Sequence, residues 1–200
     1  MKNWKFTSET KIVFGITLRQ IKATASFGLV NKGDLGGWIE KEDNLSDNAR
    51  VSGDARVSGN ARVYGNARVS DNAWVSGNAL VSDNAWVFGN AWVSGDARVS
   101  GDALVSGNAR VSGNARVYGD ARVYGEFDLC SIGPIGSRKA FLTIHSDSTI
   151  QVRVTTGCFS GSMQEFEDAV EKKHGSSPYG QQYRAAIALA KLVVNGESNV

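Results

Sequence analysis

Two histidines, His145 and His174, and two cysteines, Cys130 and Cys158, are all the chain offers of the side chains that most often serve as bases, thiol nucleophiles or soft metal ligands. Cys158, in the stretch T-T-G-C-F-S-G, could act as a nucleophile if His145 or His174 stood within hydrogen-bond reach as its base. The simpler reading is a cysteine buried at a strand-to-helix turn, with Cys130 as core filler. Asp147 and Asp168 fit a turn and an exposed helix face better than acid–base work. Four aspartates, Asp54, Asp96, Asp102 and Asp120, recur at equivalent places and raise the question of calcium. Asparagine holds nine of those thirteen places and no second ligand recurs with them, so tolerance of an unusual backbone explains them better. The expectation is a non-catalytic chain without metal or cofactor.

Recognition chemistry is better represented. Trp74, Leu80, Trp86, Trp92 and Leu104 stand at outward-facing places in the middle of a long repeat, with Phe88 close by. Arginine takes the same places on either side, including Arg68, Arg98 and Arg110. Exposed aromatics and arginine are the residues that protein interfaces favour. Arginine can also take phosphate while tryptophan stacks on a base. These nine residues are the candidate binding surface. Stacking from rung to rung, which stabilises a sheet without any partner, is the competing explanation.

What positions them is a six-residue cadence. Valine stands at every sixth residue from Val51 to Val123, alanine two residues before each, and Asn or Asp one residue before each alanine. Within A-R-V-S apolar and polar residues alternate, as in a strand with one buried face. The G-N or G-D pair that follows is a turn signal, with Asn and Asp tolerating the left-handed region and Gly relieving the crowding. Each hexad therefore reads as a four-residue strand and a corner. One such strand cannot bury its valine alone, whereas stacked copies bury a continuous column. The fold class expected is mainly β, a parallel β-helix.

The flanks read differently. Residues 1–38 make an N-terminal β cap, with strands in KIVFGITLRQIKA covering the edge of the first rung. The β-helix runs over 39–128, and 129–139 reads as a linker because of Gly133, Pro134 and Gly136. Residues 140–200 form a small ββαα module: a hairpin about H-S-D-S, a helix opened by the capping box Ser162/Glu165, and a second helix entered at Ser177-Pro178. Its helical stripes are Met163, Phe166 and Val170, then Tyr183, Ile187, Ala190 and Val194, and the module is expected to dock on the last coil.

Charge restricts the partners. The formal net charge of the 200 residues is +2, and none of the three regions carries a polybasic run. Outward Arg is interleaved with Asp and Asn, so its field largely cancels, which argues against nucleic acid. No apolar run is long enough to span a membrane, and two cysteines do not make a disulfide framework, so a reduced cytoplasmic setting is expected.

V-S-G-N-A-R resembles the hexapeptide pattern of left-handed β-helices over 39–128. The resemblance implies triangular coils of three hexads, about five of them, in a prism about 24 Å long. L-R-Q-I-K-A at 18–23, G-D-L-G-G-W-I-E-K-E-D-N-L-S at 33–46 and the tail G-C-F-S-G-S-M-Q-E-F-E-D-A-V resemble hexapeptide-repeat proteins of phages and prophages, a group with no settled activity. Many left-handed β-helix proteins are acyltransferases whose histidine lies on a coil or an inserted loop, and this chain has neither. A carbonic-anhydrase-like relative would need three histidines, and ranked threonines for ice binding are missing, since residues 45–126 contain no Thr. The class implies a homotrimer. The function expected is a binding or scaffold protein of phage or prophage origin in the host cytoplasm, as in counter-defence, holding a host protein or sequestering a small nucleotide. The alternative is an atypical acyltransferase-like enzyme.

Overall fold

In the computed structural model, which describes residues 2–46, 48–125, 129–147 and 151–194 (the side chains of 146, 147 and 194 aside), the six-residue cadence becomes a β-solenoid. Strands β1 (Trp4–Val13), β2 (Ile16–Ala23) and β3 (Leu35–Ile39) come first. Thirteen two-residue strands follow, from β4 (Arg50–Val51) to β16 (Arg122–Val123), each an outward residue and its valine. Each of β4 to β13 pairs in parallel with the strand eighteen residues on, as Val57 with Val75 and Val75 with Val93. Three faces result, about five coils tall. The strands are shorter than the four residues expected, but the whole A-R-V-S unit is hydrogen-bonded. Arg56 N–H donates to Ala73 O and Ser58 N–H to Val75 O, at 2.9 and 3.0 Å.

The interior is the alanine and valine column, fully buried from Ala55 to Val123. Each buried valine contributes on the order of 1.5–3 kcal/mol by transfer figures, an upper estimate. The corners correct one expectation. The left-handed backbone sits on the glycine place (Gly77 φ +68, Gly95 φ +68), and Asp71 and Asp83 adopt it where they replace glycine. The asparagine that follows has another task. Its side-chain amide donates to the amide or carboxylate one coil on, as Asn60 to Asn78 and Asn78 to Asp96, at 3.2 and 3.0 Å. Asp71 and Asp83 accept from the N–H groups of Gly89 and Gly101 in the same direction. The corners are thus side-chain ladders as well as turns.

The N-terminal strands do cap an edge. β2 pairs antiparallel with β3, and β3 continues in parallel into the first face beside Arg56–Val57. Lys11 pins the hairpin to that face, 3.1 Å from Asp54 and 4.2 Å above the Trp38 ring. Its ammonium holds the Asp54 carboxyl below its ordinary value. Inside the first coil, buried Asn44 donates to Gly59 O and Ala61 O, closing the end of the column.

Of the stretch 129–139 expected to be a linker, residues 129–135 are a strand and 136–139 a turn. β17 (Leu129–Ile135), β18 (Ala140–Asp147), β19 (Gln151–Thr156) and β20 (Phe159–Ser162) form one antiparallel sheet. The small size of Gly133 is what β17 needs, since a Cβ there would lie 2.9 Å from Phe141 Cα. β20 was not expected either, and the tip of the β18–β19 hairpin lies outside the described residues. Helix α1 (Met163–His174) opens at the Ser162/Glu165 box, and α2 (Pro178–Val194) follows. Phe166, Val170, Tyr183, Ile187 and Ala190 bury as expected, with Met163 partly buried against them, while the Val194 side chain lies outside the described residues. The sheet docks on the end of the solenoid: Arg116 N–H donates to Thr143 Oγ1, and Arg116 O accepts from Thr155 Oγ1. Among the described residues no helix is long and apolar enough to cross a membrane.

Candidate binding surface

The cadence assigns each candidate side chain to a face, because eighteen residues make one turn. Trp74, Trp92 and Arg110 share the first face with Trp38 and Arg56. Arg68, Trp86 and Leu104 share the second with Arg50 and Arg122, and Phe88 is there too, its ring 4.5 Å from that of Trp86. Leu80 and Arg98 lie on the third face, in a shallow groove flanked by Tyr64 and Tyr118. The nine residues therefore form three separate groups, and no single patch gathers them.

The first face carries the largest aromatic array. Phe14, at the tip of the β1–β2 hairpin, stacks on Trp74 at 5.4 Å and 2°, and Trp74 stacks on Trp92 at 5.2 Å and 4°. Arg110 lies 5.9 Å from the Trp92 ring centre and extends the column. Phe14 is 83% exposed and Trp92 37%, whereas Trp74 between them is half-buried. Each indole N–H is satisfied by the serine one coil back on its own face: Trp74 on Ser58, Trp86 on Ser70 and Trp92 on Ser76, at 3.1, 3.1 and 3.2 Å. Rung-to-rung stacking is thus present, and it fixes the rings that remain partly exposed. Phe14 was missed in the sequence, where it reads as an apolar residue beside a turn glycine. Its backbone is left-handed (φ +49), a conformation that costs a bulky residue energy.

Among the described residues, two further cavities take in candidate residues. The first, about 310 Å³, lies between the loop 24–34 and the second face, and Arg50, Arg68 and Trp86 line it. The second, about 250 Å³, lies in the C-terminal module, lined by Cys158 and His174 among others. Cys158 is exposed, not buried as expected, because it follows the tight turn at Gly157. Arg138 Nη1 donates to its sulfur at 3.4 Å. His174 packs against the rings of Tyr179 and Tyr183, and His145 is fully buried in the sheet, so the two histidines are not brought together. Cys130 is half-buried, and burial pushes its thiol above the ordinary value. Among the described residues no group of three metal-ligating side chains occurs.

No curated protein matches the chain. A family model does: the YdcK beta solenoid repeat matches at 45–59, 49–62, 55–71, 61–77, 73–89, 91–107, 97–113, 103–117 and 115–127. These matches fall on the coils and leave both ends of the chain uncovered. Residues 45–127 are therefore β-solenoid repeats similar to those of the YdcK family.

Proposed function

We propose that the chain is a non-catalytic binding or scaffold protein that works as a homotrimer through the aromatic and arginine surface of its solenoid. The opening and tail motifs support a phage or prophage origin, and the host cytoplasm and a part in counter-defence belong to the same proposal. Its partner is a host protein or a small nucleotide. The observation that carries this reading is the Phe14–Trp74–Trp92 stack, with Phe14 83% exposed at the end of the column. Preordered aromatic surface costs little entropy to bury and is what hot spots are made of. The test is light scattering and native mass spectrometry on wild type and on Trp74→Arg/Trp92→Arg. A wild type at three times 21.4 kDa that falls to one copy in the variant supports the trimer. A monomeric wild type overturns it.

A second reading has one observation in its favour: Cys158, which is exposed, and His174, which is half-buried, line the same cavity. A thiol nucleophile there would be alkylated by iodoacetamide well before Cys130, and His174→Ala would slow that reaction. Equal labelling in His174→Ala and wild type removes histidine from any such role.

A further inference from the structure

We propose that the cavity between the loop 24–34 and the second face binds a small organic anion, a single carboxylate or phosphate group carried on an apolar body. The site is complete within one chain, and it shares Arg68 and Trp86 with the surface proposed above.

The walls come from three sources. Trp4 and Ile21 belong to the cap, Phe27 and Val30 to the loop, and Leu45 and Trp86 to the coils. The loop is held in shape by its own bonds: Phe27 and Val30 exchange both backbone hydrogen bonds at 3.0 Å, and Lys32 N–H donates to Ser26 Oγ at 2.9 Å. A volume of about 310 Å³ is at the small end of ligand sites.

The charge is uneven. Arg50 and Arg68 are neighbours on adjacent rungs, and both line the cavity. Among the described residues no carboxylate lies within ion-pair distance of either guanidinium. Asp34 also lines the cavity, its carboxylate held by Asn31 N–H at 2.7 Å, so two arginines against one carboxylate leave the lining net positive. What the two arginines face instead is aromatic: Arg50 lies 5.8 Å from the Phe27 ring centre and Arg68 6.0 Å from that of Trp86. Arg50 Nε is buried without a hydrogen-bond partner. Burial first, and the Arg68 charge second, hold the Arg50 guanidinium below its ordinary value. Two like charges side by side are relieved by an anion that bridges them. Planar guanidinium groups suit carboxylate and phosphate oxygens in particular. The apolar walls would then cover the remainder of the ligand.

The test is isothermal titration of the full chain with phenyl phosphate, benzoate and the neutral benzamide. One anion is expected to bind at one per chain, with benzamide at least tenfold weaker, and the stronger anion tells phosphate from carboxylate. Arg50→Gln and Arg68→Gln should each weaken that binding at least tenfold with the circular dichroism spectrum unchanged. Val30→Trp, which fills the cavity and keeps both arginines, should abolish it. The proposal is overturned if neither anion gives saturable binding, if benzamide binds equally, or if binding survives both glutamine substitutions or the filled cavity.

Discussion

The indoles of Trp74 and Trp92 lie parallel, 5.2 Å apart, each held by a hydrogen bond from its Nε1 to a serine one coil earlier. Strand spacing in a solenoid is close to the preferred separation of stacked rings, so equal residues eighteen apart stack with little adjustment. Phe14 joins this column from a different part of the chain and keeps a left-handed backbone to do so. The contact with Trp74 must therefore offset strain. A double-mutant cycle on Phe14→Ala and Trp74→Ala, read by urea unfolding, should give a coupling of about 0.5–1.5 kcal/mol. A coupling of zero would mean that the ring contact contributes nothing to the fold.

The corners make a sharper prediction. Gly95 and Gly113 are consecutive in one corner stack and both have positive φ, +68 and +62. A Cβ on Gly95 would meet Gly113 N at 2.9 Å and Gly113 O at 3.0 Å, whereas one on Gly113 meets nothing within 4 Å. Alanine at 113 costs the backbone strain alone, about 1–2 kcal/mol. Alanine at 95 adds a clash of its Cβ with the backbone of the next coil, which only separation of two coils can relieve. Gly95→Ala should therefore melt well below Gly113→Ala. Equal melting temperatures would show that the coils can part at this corner without loss.

The regularity that makes these comparisons possible is also why the solenoid is readable from the residues. Every inward place repeats, so Val57, Val75 and Val93 state the same requirement three times over. Asparagine at the corner was legible as a turn residue but not as a ladder, because its partner is eighteen residues away and turn propensity hides it. Gly133 and Pro134 suggest a linker by local rules, and only the close approach of Phe141 shows why a strand contains that glycine. The cavity was illegible for a similar reason. Arg68 and Trp86 could be placed on a face, but Phe27 and Gly28 lie in a loop with no period, and only tertiary packing brings them to Arg50.

Acid should loosen the C-terminal module through Glu165. Its carboxylate accepts from Ser162 N–H at 2.8 Å and from Ser162 Oγ at 3.0 Å, and these bonds hold it below its ordinary value. A depressed carboxyl contributes stability above its unfolded value, near 4.3, and loses it as the pH falls through the lower folded value. The difference in melting temperature between wild type and Glu165→Gln should thus be widest near neutrality and narrow on acidification below about pH 4. A difference that stays constant from pH 7 to pH 3 would mean that the charge is not what the capping box uses. Ser162→Ala, which removes the cap itself, should cost about 1 kcal/mol.

Gly28 connects the loop to the charge of the cavity. Its φ is +54, and a Cβ built on it would lie 1.9 Å from Arg50 Nη2, so the guanidinium occupies the space that a side chain would take. Arginine is flexible, and Gly28→Ala should displace the Arg50 head rather than break the coil. The backbone strain, about 1 kcal/mol, falls on the loop. The solenoid should melt close to wild type, while the affinity for phenyl phosphate should fall to the level of Arg50→Gln. Combining Gly28→Ala with Arg50→Gln should then weaken binding no further than either alone, since both act on one guanidinium. Additive losses would place the glycine's effect somewhere other than Arg50, and the loop, not the arginine pair, would have to be credited with shaping the site.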